Sequence, residues 1–149
     1  MAQTSEYYSM ADAKVEFSVN GSTWTDASGM GSEVSVDGGE RNTSSAFTFS
    51  GDTPIITKGK RTAITVTVNS VYTETATDIR KIAQTAYEAG SAFYVRWSPQ
   101  GGNTGDLQFT TSIGIVKQAL YPTGNAESGE AIMSSVVVEV ASISEAAVA

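Results

Sequence analysis

The sequence predicts a mostly β fold: two packed antiparallel sheets, as a β-sandwich or partly closed barrel, with one flanking α-helix. Three observations carry that expectation. Apolar and polar residues alternate with the two-residue period of a half-buried strand, most cleanly where Ile64, Val66 and Val68 oppose Thr65, Thr67 and Asn69. Glycine- and asparagine-containing turn signals punctuate such segments. One stretch alone, with Ile79, Ile82, Ala83 and Ala86, places apolar residues at helical spacing. The chain has 149 residues, which suits one compact domain spanning 1–149.

In chain order, Val15, Phe17 and Val19 alternate with Glu16 and Ser18, and Asn20-Gly21 reads as a tight turn into a short strand holding Trp24. Val34 and Val36 then alternate with Glu33, Ser35 and Asp37 as far as Gly38-Gly39. That glycine pair reads as a two-residue hairpin turn. It would send Glu40 to Phe49 back along the preceding strand, with Phe47 and Phe49 joining the face of Val34 and Val36. From Ser50 to Lys60 the pattern breaks into a loop with Gly51, Asp52, Pro54 and Gly59, so a hairpin or loop arm is expected at about 38–61. After the Ile64 strand, Thr77 is placed to cap the helix and Gly90 to end it in the left-handed conformation. Strands follow over 92–97, 107–116 and 132–143.

Composition removes most catalytic chemistry. There is no Cys and no His, so thiolate and His-based nucleophilic catalysis, Cys/His zinc sites and the usual proton shuttle near neutral pH are all excluded. No catalytic, cofactor or metal residue is expected. Charged residues make up only 17% of the chain, against ~25% in soluble domains, and a weakly charged Ser/Thr/Ala/Gly surface suits packing against other subunits. Val136 to Val138 is the longest aliphatic run, far short of the ~20 residues of a membrane helix. Met1 to Ser9 lacks a secretory pattern, so a protein that stays in the cytoplasm of the cell that makes it, without membrane insertion, is expected.

Motif matches reduce to structure. Gly51 and Gly59-Lys60 have the wrong spacing for a phosphate loop and precede a strand, and Gly101 to Asp106 occurs once rather than as a calcium repeat. The acids Glu33, Asp37 and Glu40 read as one solvated strand face rather than a glycosidase pair. Trp24, Tyr94, Trp97 and Tyr121 could form a stacking platform for sugars, which defines an alternative: a monomeric carbohydrate-binding or adhesin sandwich. Charge is segregated. Residues 1–40 carry net −6, 41–61 net +3 and 118–149 net −4, within a total of −7. A basic arm of Arg41, Lys58, Lys60 and Arg61 thus belongs to an acidic body, suited to a head-to-tail contact between copies. A pI near 4.4 argues against a nucleic-acid grip.

The loop ending Gly51-Asp52-Thr53-Pro54-Ile55, the Thr-rich strand Ile64 to Val68, the helix Asp78 to Ala89 and the strand Phe93-Tyr94-Val95-Arg96-Trp97 together resemble the major tail tube proteins of long-tailed bacteriophages. These are related to inner-tube proteins of contractile tails and type VI secretion systems, a branch that stays open as an alternative. The resemblance implies a non-enzymatic virion tail protein without cofactors. Its copies would form hexameric rings stacked into a hollow tube, joined edge to edge by their sheets and between rings by the long hairpin. Partners would be further copies and tail proteins such as the tape measure and terminator, with DNA passing through unbound. On this reading Arg41, Lys58, Lys60 and Arg61 belong to the inter-ring arm. Glu33, Asp37 and Glu40 face the lumen, with the neutral face of Thr65, Thr67 and Asn69 as the competing lining.

Overall fold

The computed structural model describes residues 2–118, 120–127 and 129–149. A 3-10 turn, Met10–Asp12, precedes strands β1 (Lys14–Ser18), β2 (Thr25–Asp26), β3 (Gly31–Gly38), β4 (Arg41–Ala46), β5 (Ile55–Arg61) and β6 (Ile64–Val71). Helix α1 (Ile79–Ala89) is followed by β7 (Ala92–Ser98), β8 (Leu107–Thr111), β9 (Gly114–Val116), β10 (Met133–Val140) and β11 (Ile143–Ala147). All strand pairing is antiparallel. The sheets run β2-β1-β7-β8-β11 and β3-β6-β10-β9-β7, and they do not close into a barrel.

Strand β7 serves both sheets. Ala92 and Phe93 pair with β9, whereas Arg96 and Trp97 pair with β8. The sequence-predicted strands 107–116 and 132–143 are therefore each two strands, β8/β9 and β10/β11, which change sheet at a corner. Alternation alone does not reveal such a corner, because the side-chain period continues on either side of it. Val15, Phe17, Val95 and Trp97 of one sheet share a core with Val66, Val68, Val136 and Val138 of the other. Phe17 stacks on Phe93 at 5.9 Å and Trp97 on Phe109 at 5.8 Å.

Helix α1 adds Ile79, Ala83 and Ala86 to the core and packs on β9, β10 and β7. Gly90 ends it at φ 65° as expected. Asp78, not Thr77, occupies the N-cap, and it does so without a side-chain hydrogen bond. Tertiary bonds anchor this end instead. The buried Arg80 donates to the Thr73 and Leu120 carbonyls and lies over the Tyr72 ring, and the Gln84 side chain accepts from the Leu120 N–H.

The largest departure from the sequence reading is at Gly38-Gly39. These residues do not turn the chain. β3 pairs with β6 and β4 with β5, so 31–71 is one long hairpin whose closing loop is 47–54. The glycines instead bend its first strand at φ 84° and 73°. Pairing continues past the bend, because Gly39 N–H donates to the Ala63 carbonyl and Thr62 N–H to the Glu40 carbonyl. A Cβ on Gly38 would lie 2.4 Å from the Ala63 oxygen, which leaves no room for a side chain. Positive φ serves a kink as well as a turn, and the partner strand that decides between them lies about thirty residues away in sequence. Likewise much of 50–60, expected to be loop, belongs to strand β5 because β4 provides a ladder for it.

Candidate functional site

Two surfaces stand out, and the first is the β4–β5 arm. Every residue of both strands is exposed, and among the described residues β4 and β5 pair only with each other. The tip carries Phe47, Phe49, Ile55 and Ile56, all strongly exposed. Phe47 and Phe49 thus do not join the face of Val34 and Val36; the kink carries them away from the core, and Val36 is itself half exposed. The stem carries Arg41, Lys58, Lys60 and Arg61, which the structure brings onto one hairpin, with Arg41 paired across from Arg61. Arg41 donates to the Gly59 carbonyl. Among the described residues none of the four forms an ion pair, both ion pairs being made by Glu16. Like charges on one hairpin repel in the isolated subunit, and a run of exposed aromatics loses contact with nothing but water. Both features favour a partner.

The second surface is the outer face of the β3-β6-β10-β9 sheet. Residues directly opposite one another in an antiparallel ladder share a face. Glu33 stands beside Asn69 and Ser135, Ser35 beside Thr67 and Val137, and Asp37 beside Thr65 and Glu139. The two linings that the sequence offers as competitors are therefore one surface. Asn69 donates to the Glu33 carboxylate at 3.1 Å and accepts from the Ser135 hydroxyl, which ties three strands together. Glu40 is not part of this face, because it lies beyond the Gly38-Gly39 bend and outside the β3 register. Glu139, which sequence reading missed, is. Its membership follows only from the non-local pairing of β10 with β6 and of β6 with β3.

The other sequence candidates disperse. Trp97 is core, stacked on Phe109, and Tyr121 is exposed and makes no ring contact with the other three. Trp24 and Tyr94 do meet, edge to face at 6.5 Å, but Arg96 lies over the Trp24 ring at 4.3 Å, so that ring is already taken. The expected sugar platform is thus not assembled, because alternation along β7 sends Trp97 to one face and Tyr94 to the other. Beneath Trp24, Glu16 is 6% exposed and bound by Arg96 and Lys14. Burial pushes its carboxyl upward, but hydrogen bonds from Arg96 and Lys14 outweigh this and hold it below the usual carboxylate range. This cluster pins the β1–β2 hairpin onto β7. Among the described residues no group of three or more acids is placed to hold a metal ion.

The sequence matches no family model and no curated protein. Solved structures do match in fold. A chain of the anti-feeding prophage baseplate aligns over 99% of both chains at TM-score 0.71 and 10% identity. A chain of the tail of an empty gene transfer agent (GTA) particle aligns over 99% of this chain and 100% of its own at TM-score 0.62 and 13% identity. The SPP1 tail tube aligns over 91% of this chain and 77% of its own at TM-score 0.67 and 16% identity. The fold is that of chains built into phage-like tails and injection systems, and the tail-tube resemblance of the sequence holds at the level of fold.

Proposed function

We propose that this chain is a non-enzymatic tail tube subunit, whose copies close into rings and stack into a hollow tube for DNA.

 The sixfold symmetry of the GTA tail and of the anti-feeding prophage baseplate supports six subunits per ring. One observation carries the reading. A chain with this tail fold holds out a hairpin whose apolar tip is strongly exposed and whose basic stem, among the described residues, forms no ion pair. Fully burying one large apolar side chain is worth about 1.5–3 kcal/mol, so four at each tip can hold rings together. The arm is the inter-ring element of this reading, and the open edges of the sheets are the means of ring closure. Further partners are the proteins that measure and terminate a tail, and the assembled protein resides in the virion tail. Electron microscopy of concentrated purified protein is expected to show rings and tubes; a sample that stays monomeric in light scattering at every concentration overturns the reading.

The lumen lining in this proposal is the outer face of Glu33, Asp37 and Glu139 with Thr65, Thr67, Asn69 and Ser135 between them. Repeated around a ring, the three acids form negative bands separated by neutral hydroxyls and amides. Phosphates slide past such a wall, repelled at close range within a Debye length of ~8 Å at physiological salt. Glu33, Asp37 and Glu139 changed together to Lys are expected to leave tubes intact while DNA delivery falls. Wild-type delivery by particles carrying that triple variant rejects the lining. A second reading, the inner tube of a contractile system, is favoured by the fold match to the sheath-tube complex of an extracellular contractile injection system, at TM-score 0.63 and 13% identity. Co-purification of a sheath protein with native tubes selects it.

A further inference from the structure

Asn or Asp precedes glycine at two places in the chain, Asn20-Gly21 and Asp37-Gly38. Glycine has no Cβ to obstruct its own nitrogen, so at such a bond the nitrogen can attack Cγ of the residue before it. The new N–Cγ bond closes a succinimide ring, and the glycine proton departs with the leaving group, as ammonia from Asn or as water from a protonated Asp. A water molecule then opens the ring. Attack at Cγ gives Asp, and attack at the former backbone carbonyl gives isoaspartate, whose main chain runs through Cβ and Cγ. Asparagine is the more labile of the two side chains in an unfolded chain. Both pairs are exposed here, so access to water does not separate them, but their geometry does.

Asn20 is locked. Its Oδ1 accepts from the Ser22 and Thr23 N–H groups, both at 2.9 Å, and from the Ser18 and Ser22 hydroxyls. Ser18 is buried, and its Oγ accepts from the Gly21 N–H at 2.9 Å. Bringing Cγ onto the Gly21 nitrogen would pull Oδ1 from its donors and Gly21 from Ser18. The backbone has little room to help, because a Cβ on Gly21 would lie 3.2 Å from the Tyr94 ring. Asp37 is not locked. Its carboxylate is folded back to accept from the Gly38 N–H at 2.9 Å, which is the nitrogen it would join. Among the described residues it makes no ion pair and no second hydrogen bond. We propose that the fold inverts the intrinsic order: Asp37-Gly38 is the succinimide-forming site of the folded chain, and Ser18 holds Asn20-Gly21 inert. The site is consequential, because Asp37 pairs with Thr65 and Gly38 with Ile64 at the bend that projects the β4–β5 arm. Isoaspartate there keeps the mass of the chain but adds a backbone carbon to β3, which takes it out of register with β6. The proposal does not depend on assembly.

Asp37→Asn makes the comparison direct. The chain then carries Val-Asn-Gly in two surroundings, since Val19 precedes one pair and Val36 the other. The folded variant is incubated at neutral pH and digested, and amide-to-acid conversion is read by peptide mass spectrometry. Conversion at position 20 is expected to be about tenfold or more slower than at position 37, because several hydrogen bonds must break there. In urea the two rates are expected to match. Equal rates in the folded chain, or a difference that persists in urea, overturn the proposal. Ser18→Ala is expected to raise conversion at Asn20 about fivefold, the factor carried by one lost hydrogen bond, and an unchanged rate removes Ser18 as the guard. The wild-type chain supplies a second measurement that needs no folded variant. After prolonged incubation, isoaspartate-specific enzymatic methylation should label the peptide holding Asp37 and not the one holding Asn20. Asp37→Glu, whose larger ring closes far more slowly, should lose that label. An aged wild-type chain labelled at Asn20 instead, or not at all, overturns the assignment.

Discussion

Reversing Lys58, Lys60 and Arg61 to Glu is expected to abolish tubes while leaving the subunit folded. All three side chains are on an arm whose strands bury no residue and which adds nothing to the core, so the melting temperature of the monomer should not fall. The body that must receive the arm is acidic, with net −6 over residues 1–40 and −4 over 118–149. A single exposed ion pair contributes only about 0.2–1 kcal/mol. Reversal replaces attraction with repulsion at three positions, and a ring engages all its arms at once, so the change per ring interface reaches on the order of 10 kcal/mol. The check is sedimentation and electron microscopy of the variant beside the wild type. Because salt screens exposed charge, wild-type stacking should also weaken as ionic strength rises. Normal tubes from the triple variant would remove the electrostatic role of the arm.

Gly114→Val is expected to destabilise the subunit itself. Gly114 is buried in β9 between Phe93 of β7 and Val140 of β10. A Cβ there would lie 2.6 Å from Val138 Cγ1, 2.7 Å from Val140 Cγ1 and 2.9 Å from the Phe93 carbonyl oxygen. The backbone oxygen cannot rotate aside, and the two valines are themselves packed in the core. Overpacking of this kind costs about 1–3 kcal/mol, and more where the neighbours cannot yield. A loss of ~3 kcal/mol corresponds to a melting temperature lower by roughly 6–12 °C in a chain of this size. Gly29→Ala is the control, since no atom lies within 4 Å of its added Cβ and its φ is not positive. Circular dichroism melts of both variants decide the matter. A Gly114→Val chain that melts with the wild type would mean that β9 does not lie against β7 and β10 as described.

Local periodicity made β6, the β10 segment and helix α1 legible in the sequence. In each, the residues that face the core recur at the period of the element itself, and Val66, Val68, Val136 and Val138 are all buried. The left-handed stop at Gly90 and the segregation of basic residues into 41–61 are equally local facts. What the sequence left open was pairing. Gly38-Gly39 has the same backbone freedom in a turn as in a kink, and only β6, arriving from beyond residue 63, makes it a kink and projects Phe47 and Phe49 into solvent. The same non-local ladder moves Glu40 off the polar face, puts Glu139 on it, and merges the acidic and hydroxyl linings into one surface. Side-chain alternation along a strand is set by its own backbone, so sequence by itself determines which residues share a face within that strand. Which strands lie side by side depends on contacts between residues far apart in the chain, and that the tertiary structure alone decided.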